Sequence, residues 1–247
     1  MVIYGINPVY EALRAGRVTT VHVQASPGDD RLAGLVRLAE ERGVPVRRAS
    51  HEELDRVLGR GAAKQRHQGV VADLRDRASV SVEDLVVQAA AAPLLVVLDG
   101  IEDPHNLGAI LRTVDAVGAD GVVRQSRHAA PLGGATAKAS AGAVAHVKIA
   151  EVVNIARALE ALKDAGVWTV GLAGDAAQPY DDVDYTLPTA FVVGAEGAGL
   201  RRLVRERCDW LVSIPMRGAV QSLNVSVATG IALFEAARQR RAAGRSG

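Results

Sequence analysis

The sequence predicts an α/β protein in two parts: a small mixed unit over residues 1–75, then a larger one from residue 93 onward built on a largely parallel sheet. Three observations carry this. From Leu94 onward, strand-like runs alternate with helical segments, the pattern of strands joined by helical crossovers. Before it lies a compact alternation of strands and helices of its own. Between them, residues 76–92 mix charges with an alanine run, as a helical connector does.

The elements follow in chain order. Asn7-Pro8 reads as a helix start with proline at the first helical position, and Gly16 ends that helix after Leu13. Thr20–Gln24 is a strand. A helix from Asp30 to Arg42 places Leu32, Leu35, Val36 and Ala39 at helical spacing and stops at Gly43. Val44–Val46 supplies the next strand. Ser50 and Glu53 form a capping-box pattern ahead of Leu54, Val57 and Leu58, and Gly69–Leu74 closes the unit as a β-rich run. Ser81 and Asp84 repeat the capping pattern in the connector. Beyond it, strands are expected at Leu94–Leu98, Gly121–Val123, Val144–Ile149, Val167–Leu172, Phe191–Val193 and Trp210–Ile214. No repeat at a fixed period and no low-complexity segment beyond the last few residues is visible.

Composition narrows the function classes. With 247 residues, 49% hydrophobic and 23% charged, the chain can bury one large core or two smaller ones. Its longest apolar stretches, Pro93–Leu98 and Val225–Phe234, are short or interrupted, and no basic region followed by an apolar core opens the chain. Neither a membrane span nor an export signal is expected. The single cysteine, Cys208, excludes an internal disulfide and a cysteine metal cluster, which fits a reducing cytoplasm. The six histidines show no metal-ligand spacing, so no metal is expected. A net charge of +1 makes no global case for nucleic acid. Locally, residues 1–77 hold 13 Lys/Arg against 10 Asp/Glu, which leaves 16 against 18 for the rest. The N-terminal part is the better phosphate-facing candidate.

Ligands of parallel α/β sheets collect where strands end, so three glycine-rich strand ends stand out. The first is L98-D-G-I-E-D-P-H-N-L-G-A-I-L-R-T113, with a helix beginning near Asn106. Asn106 can be a plain helix cap. Arg112 shares a face with Gly108, Ala109 and Ala116, whose small size lets a ligand approach the guanidinium; a surface pair with Asp115 is the competing role. The second is F191-V-V-G-A-E-G-A-G-L200, where glycines 194, 197 and 199 surround Glu196. Its spacing is not the dinucleotide-binding fingerprint. The third is S213-I-P-M-R-G-A-V-Q-S-L-N-V-S-V-A228, in which Ser222 and Asn224 open a long last helix. That helix is apolar on two sides. Val227, Ile231 and Phe234 are expected to cover the sheet, and the small-residue side of Val225, Ala228, Ala232 and Ala236 to meet a second subunit in a homodimer.

Taken together and in this order, the three motifs resemble the SpoU or TrmH-type ribose 2′-O-methyltransferases of the SPOUT superfamily. The first matches at Asn106, Gly108, Arg112 and Thr113, the second at Gly194, Glu196, Gly197 and Gly199, and the third at Ser222 through Ser226. Val114 and Val117 replace the family's alanine and aromatic residue, a change in packing. Y4-G-I-N-P-V-Y-E-A-L13 and H67-Q-G-V-V-A72 look like the substrate domain of bacterial members that modify a guanosine in large-subunit (23S) ribosomal RNA.

The resemblance implies a small ribosomal-protein-like α/β domain (1–75), a linker (76–92) and a SPOUT catalytic domain (93–247) with a C-terminal trefoil knot. It implies S-adenosylmethionine as cofactor, held near Leu172, Ala173, Gly174, Gly194, Gly197, Ile214, Met216 and Leu223. Asn106, Arg112, Glu196, Ser222 and Asn224 become the catalytic set. Lys64, Arg66, His67, Gln68 and Arg112 become the candidate RNA contacts, with Arg201, Arg202 and Arg205 as further phosphate ligands or simply a solvated face. A transfer-RNA or drug-resistance methyltransferase, or a non-catalytic RNA-binding protein on the same fold, are the competing readings; a nicotinamide or flavin enzyme fails on glycine spacing.

Overall fold

The computed structural model describes residues 1–25, 30–58, 67–75 and 79–244. The chain divides into two compact units, residues 1–78 with 131–146, and residues 79–130 with 147–247.

The first unit runs β1 (Val2–Tyr4), α1 (Ile6–Arg14), β2 (Val18–Gln24), α2 (Asp30–Glu41), β3 (Val46–Ala49), α3 (His51–Leu58) and β4 (Val70–Leu74). Its four-stranded sheet has the order β1-β4-β2-β3, parallel only between β2 and β3. Tyr4, Ala49, Leu54 and Val71 form one buried cluster of this unit. The capping box ahead of α3 forms as expected: Ser50 N–H donates to Glu53 Oε2 at 2.7 Å and Glu53 N–H to Ser50 Oγ at 3.3 Å. The strand expected at Val44–Val46 starts at Val46 rather than Val44, because its parallel register on β2 begins at the Val21–Val46 pair.

The second unit opens with α4 (Val82–Val87), which the capping box of Ser81 and Asp84 starts. Then come β5 (Leu94–Asp99), α5 (Pro104–Val117) and β6 (Gly121–Gln125). Residues 131–146 carry α6 (Gly134–Ala139) of the first unit. The strand expected at Val144–Ile149 is instead a 3₁₀ turn at Ala143–Ala145 and then β7 (Ile149–Val152), since Gly142 turns the backbone left-handed at φ 98°. The chain continues through α7 (Ile155–Asp164), β8 (Trp168–Leu172), β9 (Gln178–Pro179), β10 (Thr189–Gly194), α8 (Arg202–Arg207), β11 (Trp210–Ser213) and α9 (Val225–Ala243).

Its seven strands are ordered β7-β6-β5-β10-β8-β11-β9 and every pairing is parallel. Every residue of β5 and β10 is buried, which explains why both read as unbroken apolar runs: helices cover both faces of the sheet. The register sets Asp99 beside Gly194, and Leu98 beside Arg124. The carboxyl ends of β5, β6 and β10 therefore lie next to one another.

The faces of α9 are the reverse of the expectation. Val225, Thr229, Ala232, Leu233 and Ala236 are buried within the chain, whereas Val227 and Phe234 are 49% and 52% exposed. The small residues turn inward because α5 approaches closely there; an added Cβ on Gly230 would lie 3.8 Å from Thr113 Cγ2. No helix among the described residues is long and apolar enough to cross a membrane.

Candidate active site

Three strand-end loops of the second unit converge. Leu172–Gly174 after β8, Val193–Gly197 and Gly199 at the end of β10, and Ile214, Met216 and Gln221–Leu223 after β11 line one cavity of about 260 Å³. All eight residues expected near a cofactor are in that lining. Its walls are largely main chain and apolar side chains, joined by the polar residues Glu196, Gln221 and Ser222. Gly194 makes the shape possible, because a Cβ there would sit 2.1 Å from the Gly199 carbonyl carbon. The loop turns back on itself through Gly197 and Gly199, both at positive φ, and Gly199 N–H donates to Ala195 O at 2.8 Å.

A second cavity of about 550 Å³ adjoins it and shares Ala195, Glu196 and Gly199. Asp99–Asp103, Asn106, Gln125, His128, Ala198 and Arg201 complete its lining. Asp99, 1% exposed, accepts from Arg201 N–H at 2.9 Å and from Arg201 Nε at 2.7 Å, which ties the end of β5 to the loop that carries Glu196.

Asn106 is not the helix cap. Asp103 is, accepting from the His105 and Asn106 amides, with Pro104 at the first helical position. Asn106 sits one turn in, buried, with its amide free for other work. Its Nδ2 donates to Glu196 Oε2 at 3.1 Å and its Oδ1 accepts from Asn224 Nδ2 at 2.9 Å. Asn224 Oδ1 in turn caps α9 by accepting from Ser226 N–H and Oγ. One residue from each motif thus joins a single hydrogen-bonded chain. Ser222 lines the first cavity.

Arg112 lies on the exposed face of α5, lines neither cavity, and has no ion pair or hydrogen bond among the described residues; the pair with Asp115 does not form. The arginines after the second motif are all paired: Arg201 with Asp99, Arg202 with Glu206 at 2.9 Å, and Arg205 with Asp175 at 2.8 Å.

In the first unit, Lys64 and Arg66 lie outside the described residues. His67, expected as an RNA contact, is 3% exposed. Its Nδ1 accepts from Gly69 N–H at 3.0 Å, so Nε2 carries the proton and faces Asp55 Oδ1 at 3.7 Å. Burial, with the nearby His51 charge second, holds its pKa below the usual imidazole value. His67 shapes its loop rather than presenting itself to RNA. Gln68, exposed at φ 54°, accepts from Ile6 N–H through Oε1 at 3.0 Å. His51, Asp55 and His67 bring ligand-capable atoms within 4.8 Å of one another, a grouping the chain spacing did not suggest. The protonated Nε2 of His67 leaves no lone pair there for a cation, and at 3.7 Å from Asp55 Oδ1 it makes no hydrogen bond.

A doubly covered parallel sheet whose ligand cleft is made of strand-end loops, without the dinucleotide fingerprint, defines an α/β enzyme class that holds an adenosine-type group between main chain and apolar walls. Comparison sharpens this. Residues 93–234 match the model of the SpoU rRNA Methylase family, and residues 2–78 match the RNA 2'-O ribose methyltransferase substrate binding model. The chain belongs to the SpoU rRNA methylase family. It is 43% identical over 244 residues to the 23S rRNA (guanosine-2'-O-)-methyltransferase RlmB of Pseudomonas putida, covering 97% of this chain and 96% of that one. It is 38% identical to a putative TrmH family tRNA/rRNA methyltransferase, YacO, of Bacillus subtilis, covering 98% and 97%. Among solved structures, the SpoU methyltransferase AviRb from Streptomyces viridochromogenes in complex with AdoMet superposes with a TM-score of 0.79 at 26% identity, covering 98% of this chain and 91% of that one.

Proposed function

We propose that this chain methylates the ribose 2′-hydroxyl of a guanosine in large-subunit (23S) ribosomal RNA, with S-adenosylmethionine as donor. The observation that carries the reading is the Asn224–Asn106–Glu196 chain, which sets one carboxylate at the boundary of the two cavities. The first cavity fits the cofactor: Gly194 and Gly199 bring main chain to its surface, and Leu172, Ile214 and Leu223 supply apolar walls for an adenine ring. When bound, the cofactor supplies a methyl group on a sulfonium centre.

The protein's task is then to hold the ribose oxygen in line, at roughly 3 Å from the methyl carbon. Glu196, oriented by Asn106, accepts a hydrogen bond from the 2′-hydroxyl and aims its oxygen. Ser222 and Asn224 fix the third loop around the same point. Arg112 binds the RNA phosphate next to the target ribose, since its guanidinium is unpaired. It is not the base: a guanidinium is already protonated and offers no lone pair to the hydroxyl proton. The hydroxyl proton leaves late, when the attacking oxygen has become acidic, and passes to the Glu196 carboxylate that the hydroxyl already hydrogen-bonds.

The same proposal includes a homodimer through the α9 face that carries exposed Val227 and Phe234 and half-buried Ile231, the C-terminal trefoil knot of the family, cytoplasmic action and no metal requirement. Gln68 and the segment of Lys64 and Arg66 are the proposed RNA contacts of the first unit. The test is methyl transfer from labelled S-adenosylmethionine to 23S and transfer RNA, with the product mapped by primer extension. A single 2′-O-methylguanosine in 23S RNA is expected; label in transfer RNA alone would move the substrate, and label in neither would reject the activity.

A further inference from the structure

Asp99 ends β5 and stands in register with Gly194, the last residue of β10. The loop that leaves Gly194 returns at Arg201 to the same residue. Arg201 N–H donates to Asp99 Oδ2 at 2.9 Å and Arg201 Nε to Oδ1 at 2.7 Å, with Arg201 Nη2 paired to Oδ1 as well. Both ends of the loop therefore meet at Asp99. Between them the backbone of Ala195 bridges that of Gly199, and every residue from Glu196 to Gly199 is exposed. Side-chain packing does not locate Glu196; the bond from Asn106 and the two anchored ends of its loop do. The Asp99 side chain is fully buried, unlike the largely exposed carboxylates that pair with Arg202 and Arg205. A buried ion pair adds little stability, because desolvation offsets most of the attraction. What it supplies is direction, since the rigid guanidinium fork aims two donors from one plane.

We propose that Asp99 and Arg201 form one positioning device for methyl transfer: the pair fixes the loop that separates the two cavities, and so sets Glu196 relative to the cofactor. The inference rests on the methyl-transfer reading and deepens it. Ala195, Glu196 and Gly199 line both cavities, so a loop released at Arg201 shifts the wall of the cofactor cavity and the carboxylate together. The proposal also decides between the two roles open to Arg201. With two guanidinium nitrogens committed to Asp99, it is a loop anchor and not a phosphate ligand.

The test is a double-mutant cycle in the full chain, read as the single-turnover rate at saturating 23S RNA and S-adenosylmethionine. Asp99→Asn keeps the shape and loses the charge; Arg201→Met keeps the stem and the backbone donor and loses the guanidinium. Each is expected to slow the rate by about tenfold or more, as a misplaced reacting group does. The double variant is expected to be no slower than the slower single one, because both changes break the same link. In Arg201→Met the RNA KM and the salt slope of RNA binding stay at wild type, which loss of a phosphate ligand would not allow. Arg201→Lys, which returns a cation to Asp99, recovers part of the rate. Circular dichroism checks each variant, and if Asp99→Asn does not fold, the two Arg201 variants carry the test. A wild-type rate in either single variant, losses that multiply in the double variant, an Arg201→Met enzyme with raised RNA KM, or an Arg201→Lys enzyme no faster than Arg201→Met overturns the proposal. A wild type that binds S-adenosylmethionine yet labels no RNA overturns the reading beneath it and the proposal with it.

Discussion

Asn224 and Asn106, separated by 118 residues, are joined side chain to side chain at 2.9 Å, and the bond leaves the Asn106 Nδ2 aimed at Glu196. An amide places its acceptor and its donor on two separate atoms, so it can accept from one neighbour and donate to another in a fixed geometry. Asn106→Asp keeps the acceptor for Asn224 but sets a carboxylate against Glu196. Asn106→Ala removes both bonds. Both are expected to lower kcat/KM by about 10²–10³-fold, with S-adenosylmethionine affinity nearly unchanged by calorimetry. An Asn106→Asp enzyme with wild-type turnover would exclude the relay from catalysis.

Much of this was legible locally. The capping boxes at Ser50 and Ser81 are set by residues three apart, and the strands β5 and β10 announce themselves as unbroken apolar runs. What spacing along the chain misreads is competition between neighbours. Asp103 and Asn106 are both good caps, and Asp103 with Pro104 at the first helical position wins, which frees Asn106 for long-range contacts. The two apolar sides of α9 look equivalent in one dimension; only the close approach of α5 turns the small residues inward.

Gly194 is a steric requirement. A Cβ at 2.1 Å from Gly199 main chain must push the loop away, and that loop lines the first cavity and carries Glu196. Gly194→Ala is expected to weaken S-adenosylmethionine binding by at least about tenfold in titration while the sheet stays folded by circular dichroism. Unchanged affinity would mean that this loop does not touch the cofactor.

Arg112 separates binding from chemistry. Arg112→Ala is expected to weaken RNA binding and to flatten the salt dependence of log K by about one unit of slope, the mark of one lost phosphate contact. If single-turnover methyl transfer at saturating RNA stays intact, the residue positions RNA and nothing more. If that rate falls as well, the guanidinium also acts at the reacting ribose.

His67 ties pH to the integrity of the first unit. Burial first, then the His51 charge, lowers its pKa, with Asp55 opposing both. The unfolded chain therefore binds this proton more readily than the folded one, so the stability that neutral His67 contributes is present above about pH 6.5 and is lost as pH falls below it. The His67 ring resonances should titrate with a midpoint below 6.5, and thermal melting of the whole chain should shift down between about pH 6.5 and 5. In His67→Phe, which fills the same space without a titrating nitrogen, most of that shift should vanish. A midpoint above 6.5 would require a charged, donor-only imidazolium, which cannot accept the Gly69 amide.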